Sequence, residues 1–199
     1  MTLALTIIIG ILIGLFTGVC SGLFGIGGGL VSIPLMHVVL GIPGEVAIGT
    51  SLFLIIPTTL SGALVYSKKK MVDAKTGLIC GVAGIPTAML GAYLSNILSG
   101  KILMLTFSAL LIGIGIKMLL QKKKSAGNGE AHKIDAKYVA IASVIGASVG
   151  FISGLLGIGG GFLLIPAFLM ILGLSMHEAI GTSLLSIAIY GIPGAITHA

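Results

Sequence analysis

Apolar residues run along this chain in long continuous blocks, without the every-second-residue alternation of a half-buried strand. Stretches free of formal charge extend from Thr2 to Leu40, Val46 to Ser67, Thr76 to Gly100 and Ile102 to Ile116, with more from Tyr138 onward. A bilayer core about 30 Å thick takes roughly 20 helical residues per crossing. The blocks therefore predict membrane-crossing helices, and continuous rather than alternating hydrophobicity argues against a β-barrel. The expected fold is an all-α integral membrane protein, a polytopic helical bundle.

Composition supports this assignment. Hydrophobic residues make up 56% of the chain and charged residues only 8%, too little polar surface for a water-soluble globule. The net charge of +6 comes entirely from lysines. They collect in short loops without interleaved aromatics, which points to topology and excludes nucleic acid as a partner. Lys68, Lys69, Lys70 and Lys75 share one loop, and Lys122, Lys123, Lys124, Lys133 and Lys137 another. By the positive-inside rule both loops, 67–75 and 121–137, face the cytoplasm of a cell whose inner (plasma) membrane holds the chain. The segment between them then goes out and returns, turning at Ser95 to Lys101. The first apolar block has no basic residue before it and no small-residue cleavage pattern, so it reads as a retained span rather than a secretory signal. Cys20 and Cys80 sit inside apolar stretches and read as buried small hydrophobes.

One segment repeats. At an offset of 132 residues SGLFGIGGGLVSIP (Ser21 to Pro34) aligns with SGLLGIGGGFLLIP (Ser153 to Pro166), and AIGTSL at Ala47 to Leu52 aligns with AIGTSL at Ala179 to Leu184. Of 46 positions aligned without a gap, 21 are identical, which signals duplication. The chain divides into a first repeat (1–120), a polar linker (121–137) rich in Lys, Gly, Ser and Asn, and a second repeat (138–199). The second is incomplete and the chain is expected to be C-terminally truncated, a whole protein of two equal repeats having about 252 residues. If the segment from Leu23 to Gly41 crosses the membrane, five crossings separate equivalent points and the second copy is inverted. That arrangement is favoured, and in secondary transporters it places the site between the repeats near mid-membrane. If the segment is only re-entrant, the copies are parallel.

The repeated motif carries the candidate chemistry. Gly25, Gly27, Gly28 and Gly29 recur as Gly157, Gly159, Gly160 and Gly161, followed by Pro34 and Pro166. Glycine permits backbone angles closed to other residues, and proline removes a donor and favours a kink. A broken helix in lipid is tolerable only where protein or a wet cavity satisfies its freed backbone groups. A helix N-terminus opening after the glycines would offer N–H groups and a partial positive charge to an anion. The chain has no arginine, so no guanidinium clamp competes with this device. Alternatively, the glycines serve close helix packing. Gly49-Thr50-Ser51 recurs as Gly181-Thr182-Ser183. The hydroxyls of Thr50, Ser51, Thr182 and Ser183 either bind substrate oxygens or bond the backbone one turn back.

Titratable groups near the spans are few. Glu45, His177 and Glu178 fall in short turns, and His37 is the deepest candidate, read either as a packed neutral histidine or as a coupling proton site. GIGGGL and GIGGGF lack the sixth-position glycine of a dinucleotide fingerprint and no phosphate-loop lysine follows them. HExxH, CxxC and nucleophile-elbow patterns are missing as well. No enzyme, no cofactor and no metal site is expected.

The paired segments GLFGIGGGLVSIPLM and GLLGIGGGFLLIPAF, each followed by AIGTSL, resemble the sulfite exporter TauE/SafE family of membrane transporters along essentially the whole chain. The resemblance implies export or uptake of small sulfur-containing or organic anions such as sulfite and sulfonates, by proteins of about eight predicted spans. The expected function is a secondary anion transporter alternating access between its two repeats, with a passive anion channel and a non-transporting membrane scaffold as the other readings. Its partners would be the anionic substrate, the bilayer and a coupling proton or ion. The sequence carries no signal of oligomeric state.

Overall fold

The computed structural model describes residues 3–120 and 135–198, so the lysine-rich stretch 121–134 lies outside the described residues. The order is α1 (Leu3–Phe24), α2 (Gly29–Leu40), α3 (Gly44–Lys68), α4 (Ala74–Ile97), α5 (Gly100–Leu120), α6 (Ala136–Leu156), α7 (Gly161–Met170) and α8 (Met176–His198). No strand occurs among the described residues. Five helices, α1, α3, α4, α6 and α8, are long and apolar enough to cross a membrane, as expected for a polytopic helical membrane protein. The turn foreseen at Ser95 to Lys101 is the short link between α4 and α5.

α6, α7 and α8 occupy the positions that align with α1, α2 and α3. Their directions reveal how the copies are related. α8 runs alongside α4 in the same direction: the Asp73 N–H donates to Thr182 Oγ1 (2.9 Å), Ser186 Oγ donates to the Gly77 carbonyl (3.1 Å), and Asn96 reaches the Thr197 carbonyl (3.5 Å). α3 runs the opposite way to α8, Gly62 facing Leu184 while Gly181 packs against Tyr66 and Met71 near the end of α3. Equivalent helices α3 and α8 are thus antiparallel, and the copies are inverted.

Small residues set the closest seam. Gly146, Gly150 and Gly154 of α6 lie on the backbone of Cys80, Gly84 and Ala88 of α4; a Cβ at Gly150 would come within 2.7 Å of the Gly84 carbonyl oxygen. Without hydrophobic exclusion to drive association in lipid, close approach of this kind holds helices together by dispersion. The aligned face of α1 is open: a Cβ at Gly14 or Gly22 would meet nothing within 4 Å. The Asp73 carboxylate caps α4 by accepting from the Lys75 and Thr76 N–H groups (3.2 and 3.3 Å). Thr76 in turn pairs with Tyr138 of α6 (2.6 Å), tying α4 and α6 at one end of the bundle.

Candidate functional site: two crossed glycine segments

Each repeat breaks at its glycines, and the break explains itself in backbone terms. Gly25, Gly27 and Gly28 have φ of 66°, 81° and 87°, and Gly157, Gly159 and Gly160 have φ of 67°, 86° and 72°. A right-handed helix cannot pass through such angles. The interruption lies at the left-handed glycines, and Pro34 and Pro166 lie beyond it, inside α2 and α7.

The broken stretch covers depth. Gly25 packs against Ile180 and Ser183, near the start of α8, whereas Gly29 packs on Gly157 and Ile158, beside the start of α3. Those two helix starts lie at opposite ends of the bundle, so residues 25–29 traverse its middle. The segment from Leu23 to Gly41 therefore crosses as an extended piece plus the 12-residue α2, a helix of about 18 Å. The second copy does the same in the other direction, with the 10-residue α7. Gly27 and Gly159 face one another where the segments cross, a Cβ at either lying 3.4 Å from the other's Cα.

The contacts around the crossing are reciprocal. Ser51 Oγ donates to the Gly157 carbonyl (2.5 Å), and its counterpart Ser183 Oγ donates to the Gly25 carbonyl (3.2 Å). Both also bond a carbonyl of their own helix, Ile48 and Ile180, at 2.8 Å. Gly29 lies against the Gly157 carbonyl as Gly161 lies against that of Gly25. Ser51 and Ser183 thus satisfy carbonyls freed by the breaks, which lipid cannot do. Thr50 is exposed and bonds the Val46 carbonyl one turn back (2.7 Å). Thr182 is buried and accepts from Asp73. Neither threonine hydroxyl reaches the crossing, and Pro34 faces outward.

α2 and α7 both begin at the crossing. Their ladders start with bonds to the carbonyls of Gly28 and Gly160 (3.0 to 3.2 Å), and the N–H groups of the first helical residues precede those bonds. Two positive helix ends, each equivalent to roughly half a charge, therefore point into the middle of the bundle. Two residues not singled out in the sequence reading flank them. Tyr190 is fully buried and donates to the Gly159 carbonyl (2.7 Å). Ser21, at 1% exposure, has a hydroxyl without a hydrogen-bond partner. Ser21 opens the first repeated block, and Tyr190 is a lone phenol in an apolar span; both features were visible but not distinctive.

The titratable groups lie elsewhere. His37 is exposed, its Nδ1 2.8 Å from the Ile42 carbonyl, which corrects its placement as the deepest ionisable group. It borders an open cavity of about 650 Å³ with Pro43, Ser99, Lys101, Met104 and Ser108. Glu178 accepts from the Ser175 N–H and hydroxyl (3.0 and 2.6 Å), capping α8.

The sulfite exporter TauE/SafE family model matches residues 10–199. A probable membrane transporter protein of Bacillus subtilis, YunE, is 35% identical over 199 aligned residues, which cover 89% of this chain and 72% of the relative. A probable membrane transporter protein of Xylella fastidiosa is 29% identical over 179 residues, covering 89% of this chain and 68% of its own length. A third, from Methanocaldococcus jannaschii, is 28% identical over 186 residues, covering 90% and 67%. No solved structure matches. The duplicated glycine break and the family match agree: the chain belongs to the sulfite exporter TauE/SafE family.

Proposed function

We propose that the chain is a secondary transporter of small oxyanions, of the sulfite and sulfonate class, working by alternating access between its inverted copies. The observation that carries this is the crossing itself: two extended glycine segments meet at mid-bundle with the N-termini of α2 and α7 beside them. Helix ends and peptide N–H groups receive an anion without a full charge being stationed in lipid. Inversion supplies the two faces. The Ser51–Gly157 and Ser183–Gly25 bonds are equivalent contacts displaced toward opposite ends, so opening one while keeping the other exposes the crossing to one side at a time. A gradient then shifts the populations of the two end states through the substrate's differential affinity for them. The relatives' names as probable membrane transporters accord with this role, and the chain performs no covalent chemistry on its cargo. The lysine-rich loops face the cytoplasm, and the bilayer is the inner membrane.

The test is uptake of radiolabelled sulfite, isethionate and acetate into proteoliposomes, with and without a proton gradient. Saturable, gradient-dependent uptake of at least one is expected. Flux that never saturates makes the protein a pore, and no flux of any of the three makes it a scaffold.

A further inference from the structure

The copies are inverted but not equal, and the difference falls at the two helix ends. Around the start of α7 the space is full: a Cβ at Gly160 would lie 2.5 Å from Val149 Cγ1 and 2.8 Å from the Tyr190 hydroxyl. That hydroxyl donates to the Gly159 carbonyl, and Ser153 Cβ lies 3.4 Å from the same added Cβ, so the phenol fills the space beside the α7 start. Around the start of α2 the equivalent positions carry different residues. Thr17 stands where α6 has Val149, and Thr58 where α8 has Tyr190. A Cβ at Gly28 would lie 3.6 Å or more from every neighbour, the nearest being Ser21 Cβ, Ser21 Oγ and Thr58 Oγ1, the last two at 3.8 Å.

Ser21 is the telling group. Beside its counterpart Ser153 stands the Tyr190 phenol, whereas the Ser21 hydroxyl, buried and facing the N-cap of α2, has no partner. A buried hydroxyl left unpaired is disfavoured, so its proton is free for something that enters. Thr17 and Thr58 are already bonded to carbonyls of their own helices. The start of α2 therefore offers a hydroxyl donor and the first N–H groups of a 12-residue helix, and no carboxylate.

We propose that the transported oxyanion binds at only one of the two helix ends, that of α2, where Ser21 Oγ and the N–H groups of Gly29 and Leu30 donate to it, while Tyr190 permanently occupies the equivalent place at α7. This deepens the transport reading and rests on it. The ligand class is a compact oxyanion or the headgroup of a sulfonate, whose oxygens accept several short donors at once. Tyr190 is then a built-in substitute for ligand, its phenol oxygen standing where an anion oxygen stands in the other copy.

The experiment compares Ser21→Ala with Ser153→Ala, and Thr58→Tyr with Tyr190→Phe, in the same vesicles. Sulfite is the probe, read as half-saturating concentration for uptake and as sulfite-dependent rise in melting temperature. Ser21→Ala is expected to raise half-saturation about tenfold, the loss of one charge-assisted hydrogen bond, with an unchanged or higher melting temperature in the absence of sulfite. Ser21→Thr, which keeps the hydroxyl, is expected to restore much of the affinity. Thr58→Tyr is expected to abolish both readouts in a folded protein. Tyr190→Phe lowers the melting temperature, since the bond it removes joins protein to protein, and both it and Ser153→Ala leave half-saturation within about twofold. Equal weakening by Ser21→Ala and Ser153→Ala, or none by Ser21→Ala, overturns the single-site proposal while leaving transport intact. A wild-type protein that neither takes up nor is stabilised by sulfite, isethionate or acetate removes the transport reading and this one with it.

Discussion

Placing alanine at Gly154 and at its counterpart Gly22 tests whether close backbone contact, rather than local helix preference, fixes the α4–α6 seam. The two glycines align in the duplication and both sit near the end of a long helix. Helix propensity alone favours alanine by about 1 kcal/mol at each. At Gly22 nothing lies within 4 Å of the new methyl, so that gain is realised and stability rises by up to about 1 kcal/mol. At Gly154 the methyl would fall on the Ala88 carbonyl oxygen, with Ala88 C at 2.9 Å. Two helix backbones must then separate, an overpacking cost of about 1–3 kcal/mol or somewhat more. The balance is a destabilisation of up to about 2 kcal/mol, or as much as roughly 8 °C in melting temperature for a chain of this size. Thermal unfolding in lipid nanodiscs, followed by circular dichroism, reads both variants side by side. Equal melting temperatures for Gly154→Ala and Gly22→Ala would refute the packing argument, because the sequence environment is shared and only the neighbour differs.

Other outcomes follow from single contacts. Ser51→Ala removes the donor to the buried Gly157 carbonyl and is expected to cost about 1–3 kcal/mol, with Ser183→Ala costing less because its bond to Gly25 is longer; no loss from either speaks against the reciprocal lock. Asp73→Ala uncaps α4 and should lower stability by about 1 kcal/mol, measured by chemical denaturation in mild detergent. On topology, a cysteine at Lys69 and one at Lys101, each with Cys20→Ala, should react with a membrane-impermeant maleimide from opposite sides, since α4 separates them; labelling from one side contradicts the assignment of spans.

The sequence disclosed the architecture more readily than the site. Membrane residence and helicity follow from continuous apolar blocks, and duplication from SGLFGIGGG and SGLLGIGGG, because both are statements about composition and repetition. Inversion was reachable only by counting crossings, and the count turned on Leu23 to Gly41. Hydropathy sees that segment as one apolar block, while the structure divides it between an extended stretch and α2. The glycines were read as a break, and the break falls on them, upstream of both prolines. Pro34 lies in the body of α2, five residues past the last glycine, where it removes one N–H and crowds the carbonyl one turn back.

For the site, identity of residues between the copies misled as much as it helped. Thr50 and Thr182 repeat perfectly in sequence but bond different partners, Val46 in one copy and Asp73 in the other. Symmetry of sequence therefore marks what the fold needs twice: left-handed glycines, and serines that satisfy the carbonyls freed beside them. A binding site in an inverted pair is under no such requirement, since one guest suffices. The informative positions are then those where the copies disagree while the surrounding backbone agrees. Thr58 against Tyr190 and Thr17 against Val149 are of that kind, and the first pair borders two helix ends whose glycines match. An alignment of the copies presents these pairs as failures of the repeat; the unpartnered hydroxyl of Ser21 beside them gives the mismatch its chemical meaning.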